Sequence, residues 1–408
     1  MSVASISEAD FEAEAAGFLR AHAEPRTPES TGWGEGSDSV AIFPERTPEQ
    51  ESAEVAAAKA WRQTVFDGGF GWISGPGAYG GRELPRSYEE IYRSLEATFD
   101  TPSQFPLAIG LGIVAPAMLD HASDTAKGRY MRALFRGEIV ACQLFSEPGA
   151  GSDLASLQTR AVRDGDEWVV NGQKVWTSGA QFSDIGEIIC RTDPDLPKHK
   201  GLTGFILDMH AAGVDVRPLR QMTGGSSFNE VFFSDVRVPD ENRLGDVNQG
   251  WSVALTTLMY ERAAIGGGVV SASAVALGAE RLIELLRHVG KEGDPLMRQR
   301  LADIYIHTKV ADYTNQRAMA KLRAGQLPGP EMSVAKLALT ENMRRVSELV
   351  SLALGPALCA DTGEWGTWAW SEFVLGIPGM RLAGGTDEVM KNIIGERVLG
   401  LPKEPRPT

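Results

Sequence analysis

The stretch Ser146-Glu147-Pro148-Gly149-Ala150-Gly151-Ser152-Asp153, followed by Asn171-Gly172-Gln173-Lys174-Val175-Trp176-Thr177-Ser178, decides how the rest of the chain is read. Its first half is a polar, glycine-rich turn. In its second half Asn171-Gly172 precedes Val175-Trp176, and shortly before it Asp164-Gly165 precedes Trp168-Val169-Val170. Two hairpin signals so close together predict antiparallel strands. Such a run aligns backbone N–H groups and small hydroxyls beside a flat, partly anionic group. A second turn, Gly384-Gly385-Thr386-Asp387-Glu388, opens a helix near the C-terminus.

Working outward, the strand pattern begins at Ile139 and continues through Gly204-Phe205-Ile206-Leu207, Val214-Asp215-Val216 and Glu230-Val231-Phe232-Phe233 to about Pro239. The chain before it reads as helical. Ser7-Glu8-Ala9-Asp10 resembles a capping box ahead of Phe11, Ala15, Phe18 and Leu19 on one helical face. Thr47-Pro48-Glu49-Gln50 starts a second helix with Val55, Trp61, Val65 and Phe66, stopped by Gly68-Gly69. Further helices are predicted at about 87–99, opened by Ser87 with Glu90, and at about 123–136. Residues 22–46 carry Pro, Gly and Ser without periodicity and read as a loop. After Gly250-Trp251, apolar periodic stretches at 251–288, 295–323, 331–353 and 386–398 return to helix. Helices, a small β domain and a helical bundle in that order make an α+β layout.

With 408 residues the chain is long enough for two or three packed units. Hydrophobic residues at 43% and charged residues at 23% are those of an ordinary globular protein. A formal net charge of −14, with no basic run, excludes nonspecific nucleic-acid binding, because a phosphate backbone would be repelled. The three cysteines, Cys142, Cys190 and Cys359, form neither a C-x-x-C pair nor a metal-ligand cluster, so no metal site is expected. No uncharged run reaches the roughly 18 residues that a membrane span needs. The opening Met1-Ser2-Val3-Ala4-Ser5 leads into acidic residues and lacks a secretory pattern, which predicts a reduced, cytoplasmic setting.

The two motifs, their separation and the surrounding helices resemble the acyl-CoA dehydrogenase family of flavoenzymes, from about residue 50 to the C-terminus. The resemblance implies an N-terminal helical domain (1–137), a central antiparallel β-barrel-like domain (138–245) and a C-terminal four-helix bundle (246–408). It also implies FAD as cofactor, an acyl-CoA substrate and a trans-2-enoyl-CoA product. Electrons would pass to an electron-transfer flavoprotein, and the assembly would be a homotetramer, or a heterotetramer as the alternative. Removing a proton and a hydride from adjacent carbons needs a base and a hydride sink, and no side chain accepts hydride. Gln143, Leu144 and Ser146 match family positions on a strand passing the flavin ring; Trp176 and Ser178 match positions on its other side. Thr386 and Glu388 match positions near the flavin and its phosphates. Glu388 departs from the glutamine often found there.

Many members of the family place a catalytic glutamate directly before a Gly-Thr pair in the C-terminal turn, where this chain has Gly384. A minority take the glutamate from a bundle helix, directly before an arginine. Met259-Tyr260-Glu261-Arg262 offers that pair, so Glu261 is the expected base; by helix statistics alone it would be a surface or ion-paired residue. Its pKa is expected to rise when an acyl chain displaces water. Gly384 keeps a backbone N–H for the thioester oxygen, beside a ribityl hydroxyl of the flavin in the family, and a glutamate placed at 384 is expected to obstruct turnover. Ser152 matches a position near the CoA pantetheine, and Tyr260 and Arg262 flank the base as substrate-binding positions. The usual Arg-x-x-Phe-Gly motif is replaced by residues 287–294, leaving Arg287, Arg298 and Arg300 as alternatives for the FAD pyrophosphate. The competing readings are an acyl-CoA oxidase and a noncatalytic or half-site subunit of a heteromeric dehydrogenase. Acyl chain length and type stay open at this point.

Overall fold

The computed structural model describes residues 6–27, 33–266, 278–323, 329–330 and 332–403. Two compact units emerge. One comprises the described parts of Met1–Pro28 with Arg46–Leu219 and Ser226–Thr257. The other comprises the described parts of Glu29–Glu45 and Leu258–Thr408 with Arg220–Gly225.

In the first unit the helix Glu8–His22 starts at Ser7, whose hydroxyl accepts the Asp10 N–H. The helix Pro48–Asp67 starts with a full capping box between Thr47 and Gln50. Phe11, Ala15, Leu19, Trp61 and Val65 are buried together with Phe70, Tyr88 and Tyr92 in one core. The helix Arg86–Glu96 follows Pro85, not Ser87; no side chain caps it. Proline's fixed φ already directs the chain into the helix there, so the serine falls inside the first turn. The helix Asp124–Arg136, expected at about 123–136, is capped by Ser123 and closed by Gly137 at φ +76°.

The same unit holds a short ladder of β1 (Glu24–Pro25) with β2 (Phe99–Asp100) and a sheet of eight strands. These are β3 (Ala141–Leu144), β4 (Arg160–Asp164), β5 (Glu167–Ser178), β6 (Ile185–Arg191), β7 (Leu202–Asp208), β8 (Val214–Leu219), β9 (Phe228–Pro239) and β10 (Arg243–Leu244). The order is β10-β7-β6-β4-β5-β9-β8, with β3 joined to β6. Most pairings are antiparallel, as expected, while β3, and β4 through one residue pair, run parallel to β6. One of the two hairpins is present: Asp164 and Glu167 pair across the Asp166 turn. The other is not. Asn171-Gly172 lies inside the continuous twelve-residue strand β5, where the register against β9 shifts between Val170 and Gly172. Two side-chain to Asp235 contacts hold this bulge: Asn171 Nδ2 donates to Asp235 Oδ1 and Asn171 Oδ1 accepts the Asp235 N–H, each at 3.0 Å. Gly172 is required because a Cβ there would lie 2.7 Å from Thr159 Cα.

The second unit is helical. The helix Gly250–Gly266 enters it; Ala279–His288, Pro295–Arg323, Met332–Leu354, Ala369–Leu382 and Asp387–Ile393 follow. Part of the expected stretch 251–288 lies outside the described residues. Ala369–Leu382 was not anticipated, since Gly376, Pro378 and Gly379 interrupt its pattern. A Cβ at Gly376 would sit 3.6 Å from Ile42, and one at Gly379 3.4 Å from Phe43, ordinary contact distances that let this helix face pack closely on the 42–43 segment. The segment 33–45, read as a loop, has no regular element, yet Val40 and Ile42 belong to this unit's core. Trp33 stacks on His288 at 4.3 Å, and Arg281 lies 4.2 Å over the Trp365 ring. Among the described residues no helix is long and apolar enough to cross a membrane.

Candidate active site

In the first unit, β3 presents Gln143, half-buried, between the fully buried Cys142 and Leu144. The chain then turns through Ser146, whose carbonyl accepts the Val175 N–H at 2.9 Å. This bond sets Ser146 beside the residue that precedes Trp176, so Ser146 and Trp176, far apart in sequence, come together. A second register shift between Lys174 and Thr177 puts Trp176 at φ +60°, a left-handed conformation rare outside glycine. Its indole is thereby displayed, 58% exposed, with its ring 6.0 Å from that of Phe228. Thr177 is buried beneath it, and its Oγ1 has no hydrogen-bond partner among the described residues. Ser178 is half-buried opposite Phe228 on β9. Ser152 is exposed in the glycine-rich turn, where Gly149 and Gly151 face open space.

Glu147 and Lys174, both quoted in the deciding motifs but assigned no role there, organise this half of the site. The Lys174 ammonium, 0% exposed, donates to Glu147 Oε1 and to the Phe145 carbonyl, each at 2.9 Å. Glu147 also accepts the backbone N–H groups of Gln158 (2.6 Å) and Thr159 (2.8 Å). The pair therefore clamps the two ends of the 146–159 loop onto β5. Burial alone would raise the Glu147 carboxyl; Lys174 and the two N–H donors outweigh it and hold the group below the usual carboxylate range. Burial pushes the Lys174 ammonium down despite its anionic partner. A signal was available: Lys174 falls at an inward position of β5, with the buried Trp168 and Val170, where a lysine demands an anion.

In the second unit, Tyr260, Glu261 and Arg262 stand half-buried on consecutive positions of Gly250–Gly266. Burial depresses the Arg262 guanidinium, and the Glu261 charge offsets part of this. Gly384 is buried at φ +67° and Gly385 sits at φ +93°. The side chain of Thr386 caps Asp387–Ile393 by accepting the Val389 N–H at 3.2 Å. Glu388 is exposed, and with Arg381, Asp387, Val374, Ile377 and Leu382 it lines a cavity of about 360 Å³. Arg287 is 58% exposed and engaged by Glu284 at 2.6 Å and Glu292 at 3.8 Å. Arg300 lies 3.7 Å from Glu348. Among the described residues, no group of three or more His, Cys, Asp or Glu is placed to hold a metal ion.

Residues 142–236 match the model of the acyl-CoA dehydrogenase middle domain, and residues 248–399 that of the acyl-CoA dehydrogenase C-terminal domain. The acyl-CoA dehydrogenase IpdE1 of Mycobacterium tuberculosis is 33% identical over 366 residues, covering 88% of this chain and 91% of IpdE1. The acyl-CoA dehydrogenase FadE34 of the same organism is 39% identical over 356 residues. That match covers 86% of this chain but 48% of FadE34, so the chain spans about half the length of that relative. A solved structure titled Tcur3481-Tcur3483 steroid ACAD superposes with a TM-score of 0.74 at 25% identity, over 97% of this chain and 98% of that one. The chain belongs to the acyl-CoA dehydrogenase family.

The family is FAD-dependent, and the first unit's donor set fits such a group. An exposed indole held out by a bulge offers a flat apolar face. Half-buried Ser146, bonded through its carbonyl to the Val175 N–H, and half-buried Ser178 on the same strand as the indole carry the nearby hydroxyls.

Proposed function

We propose that this protein carries out α,β-dehydrogenation of a CoA thioester, with Glu261 as the base. The observation that carries this is the pairing of absences and presences in the second unit: a buried glycine at 384, where a carboxylate is missing, and a half-buried Glu261 coupled to Arg262. Glu261 takes the α-proton as the Cα–H bond breaks, and its carboxylate becomes the neutral acid. FAD, when bound, supplies the acceptor for the hydride leaving the β-carbon. The Gly384 N–H donates to the thioester oxygen as negative charge builds there. Gln143, Leu144, Ser146, Trp176 and Ser178 would hold the flavin ring, and Thr386 and Glu388 would serve its phosphate side. Arg287, paired here with Glu284 and Glu292, would be one candidate to hold the pyrophosphate, beside Arg298 and Arg300. Ser152 would lie near the CoA pantetheine, and Tyr260 and Arg262 flank the base as substrate-binding residues.

The substrate class proposed is a bulky polycyclic acyl-CoA of steroid type, supported by the printed title of the solved neighbour. Electrons pass to an electron-transfer flavoprotein. A homotetramer is the proposed assembly, supported by Tyr305, Ile306, Val310 and Tyr313, which are exposed along Pro295–Arg323. The half-site reading is favoured by one fact, that the chain spans 48% of FadE34, which leaves that relative room for a second such unit. Purified protein titrated anaerobically with straight-chain, branched and steroid-side-chain acyl-CoAs tests these readings. Bleaching of the oxidised flavin by the steroid thioesters is expected. Flavin absent from the isolated chain, but recovered with a second dehydrogenase subunit, points to the half-site reading.

A further inference from the structure

We propose that Lys336 is a positioning residue that holds the Gly384 turn in its working conformation by tying both of its ends to one helix; this rests on the reading of Gly384 as the thioester-oxygen donor. Lys336 lies on Met332–Leu354 with its side chain 0% exposed. Its ammonium donates to the Arg381 carbonyl at 3.3 Å, just before the turn, and to Asp387 Oδ1 at 3.1 Å, just after it. One helical turn on, Thr340 Oγ1 donates to the same carboxylate oxygen at 2.7 Å. Arg381 Nε closes the base of the loop by donating to Asp387 Oδ2 at 2.7 Å. Residues 382–386 therefore leave and re-enter one buried charge cluster.

The turn is bonded at its edges, where the Ala383 N–H donates to the Gly379 carbonyl and Thr386 accepts the Val389 N–H, but its two central residues are glycines. Gly384 and Gly385 both adopt positive φ, and glycine carries the largest conformational freedom of any residue. A donor for a developing oxyanion works only if it is already aimed, since reorientation during the reaction would cost the stabilisation it offers. A buried lysine is itself a poor way to stabilise a helical core, because an apolar side chain of similar volume serves as well or better. Its two contacts explain its presence better: they tie the residues on either side of a five-residue, glycine-bearing loop to one helix.

The test uses the full flavin-loaded chain with Lys336→Met and, as a milder variant that keeps shape and removes one donor to Asp387, Thr340→Val. Amide exchange of the segment 382–390 is read by mass spectrometry, alongside kcat and KM for whichever acyl-CoA of the panel bleaches the wild-type flavin. In Lys336→Met the exchange of that segment is expected to rise at least about tenfold, with the strands β5 and β6 unchanged. The kcat is expected to fall at least about tenfold with KM held within about threefold, the pattern of an interaction made in the transition state. Thr340→Val is expected to move both in the same direction by less. Unchanged exchange at 382–390 in both folded variants overturns the proposal whatever the activity. Faster exchange with unaltered kcat overturns it too, since the loop would then be ordered for no catalytic purpose. A wild type that no acyl-CoA bleaches overturns the dehydrogenase reading first, and is seen in the wild type alone.

Discussion

Lys174 sits in a strand that otherwise buries tryptophan and valine, and its cost is met by a single carboxylate and one carbonyl. Removing one partner of a buried pair leaves an uncompensated charge, so Lys174→Met is expected to destabilise the first unit by about 3–5 kcal/mol. Replacing both partners, Lys174→Met with Glu147→Gln, is expected to recover part of that loss, since no ion is then stranded. Chemical denaturation of the three proteins checks this; a single variant within about 1 kcal/mol of wild type would show that the clamp is not a fold determinant. At this scale the sequence was partly legible. The residues of both motifs were visible, and the bond from the Val175 N–H to the Ser146 carbonyl ties the two motifs together. The ion pair was missed because residue type was read for contact with a ligand, whereas inward phase on the strand was the signal for Lys174. Glu261 was legible only by contrast with Gly384, an argument from chemistry that periodicity does not supply.

The helices opened by Ser7 and Thr47 were read correctly because their signals are local: each of the two caps bonds an N–H three residues on. Asn171-Gly172 shows the limit of local signals. The same dipeptide that makes a tight turn also makes a bulge when the partner strand continues, and β9 continues to Pro239. Ala369–Leu382 and the burial of Val40, Ala41 and Ile42 were hidden for a related reason, since each packs against a distant part of the chain and neither is periodic alone. The bulge makes a specific prediction. Gly172→Ala drives a methyl into Thr159 and is expected to cost about 1–3 kcal/mol and to weaken flavin retention, because Trp176 lies on the same strand. Gly165→Ala, at φ +67° with open space around it, is expected to cost about 1 kcal/mol and leave flavin content unchanged. Equal flavin contents in the two variants would separate the bulge from the display of Trp176.

Two buried carboxylates, Glu147 in one unit and Asp387 in the other, are held below their usual range. Burial opposes this in both; Lys174 with backbone donors outweighs it for the first, and Arg381, Thr340 and Lys336 for the second. A carboxylate with a lowered folded pKa stabilises the fold above its unfolded pKa of about 4 and loses that contribution as pH falls through the folded value. Melting temperatures of wild type, Glu147→Gln and Asp387→Asn from pH 7 to pH 3 are therefore expected to converge at the acid end, with the wild type falling most steeply below about pH 4. Parallel curves would mean that neither cluster is linked to acid unfolding. For the molecule as a whole, the α+β order was readable from pattern, and the family was readable from two motifs in the right order. What lay beyond sequence was which charges are buried, because burial is set by elements distant in the chain. The central claim is that Glu261 removes the proton, and anaerobic flavin absorbance of wild type and Glu261→Gln, titrated with the same acyl-CoA, tests it most directly. Bleaching of the oxidised band in the wild type, with at least about a thousandfold slower bleaching in Glu261→Gln at unchanged flavin content, is the predicted result. Equal bleaching in both would remove Glu261 from the mechanism.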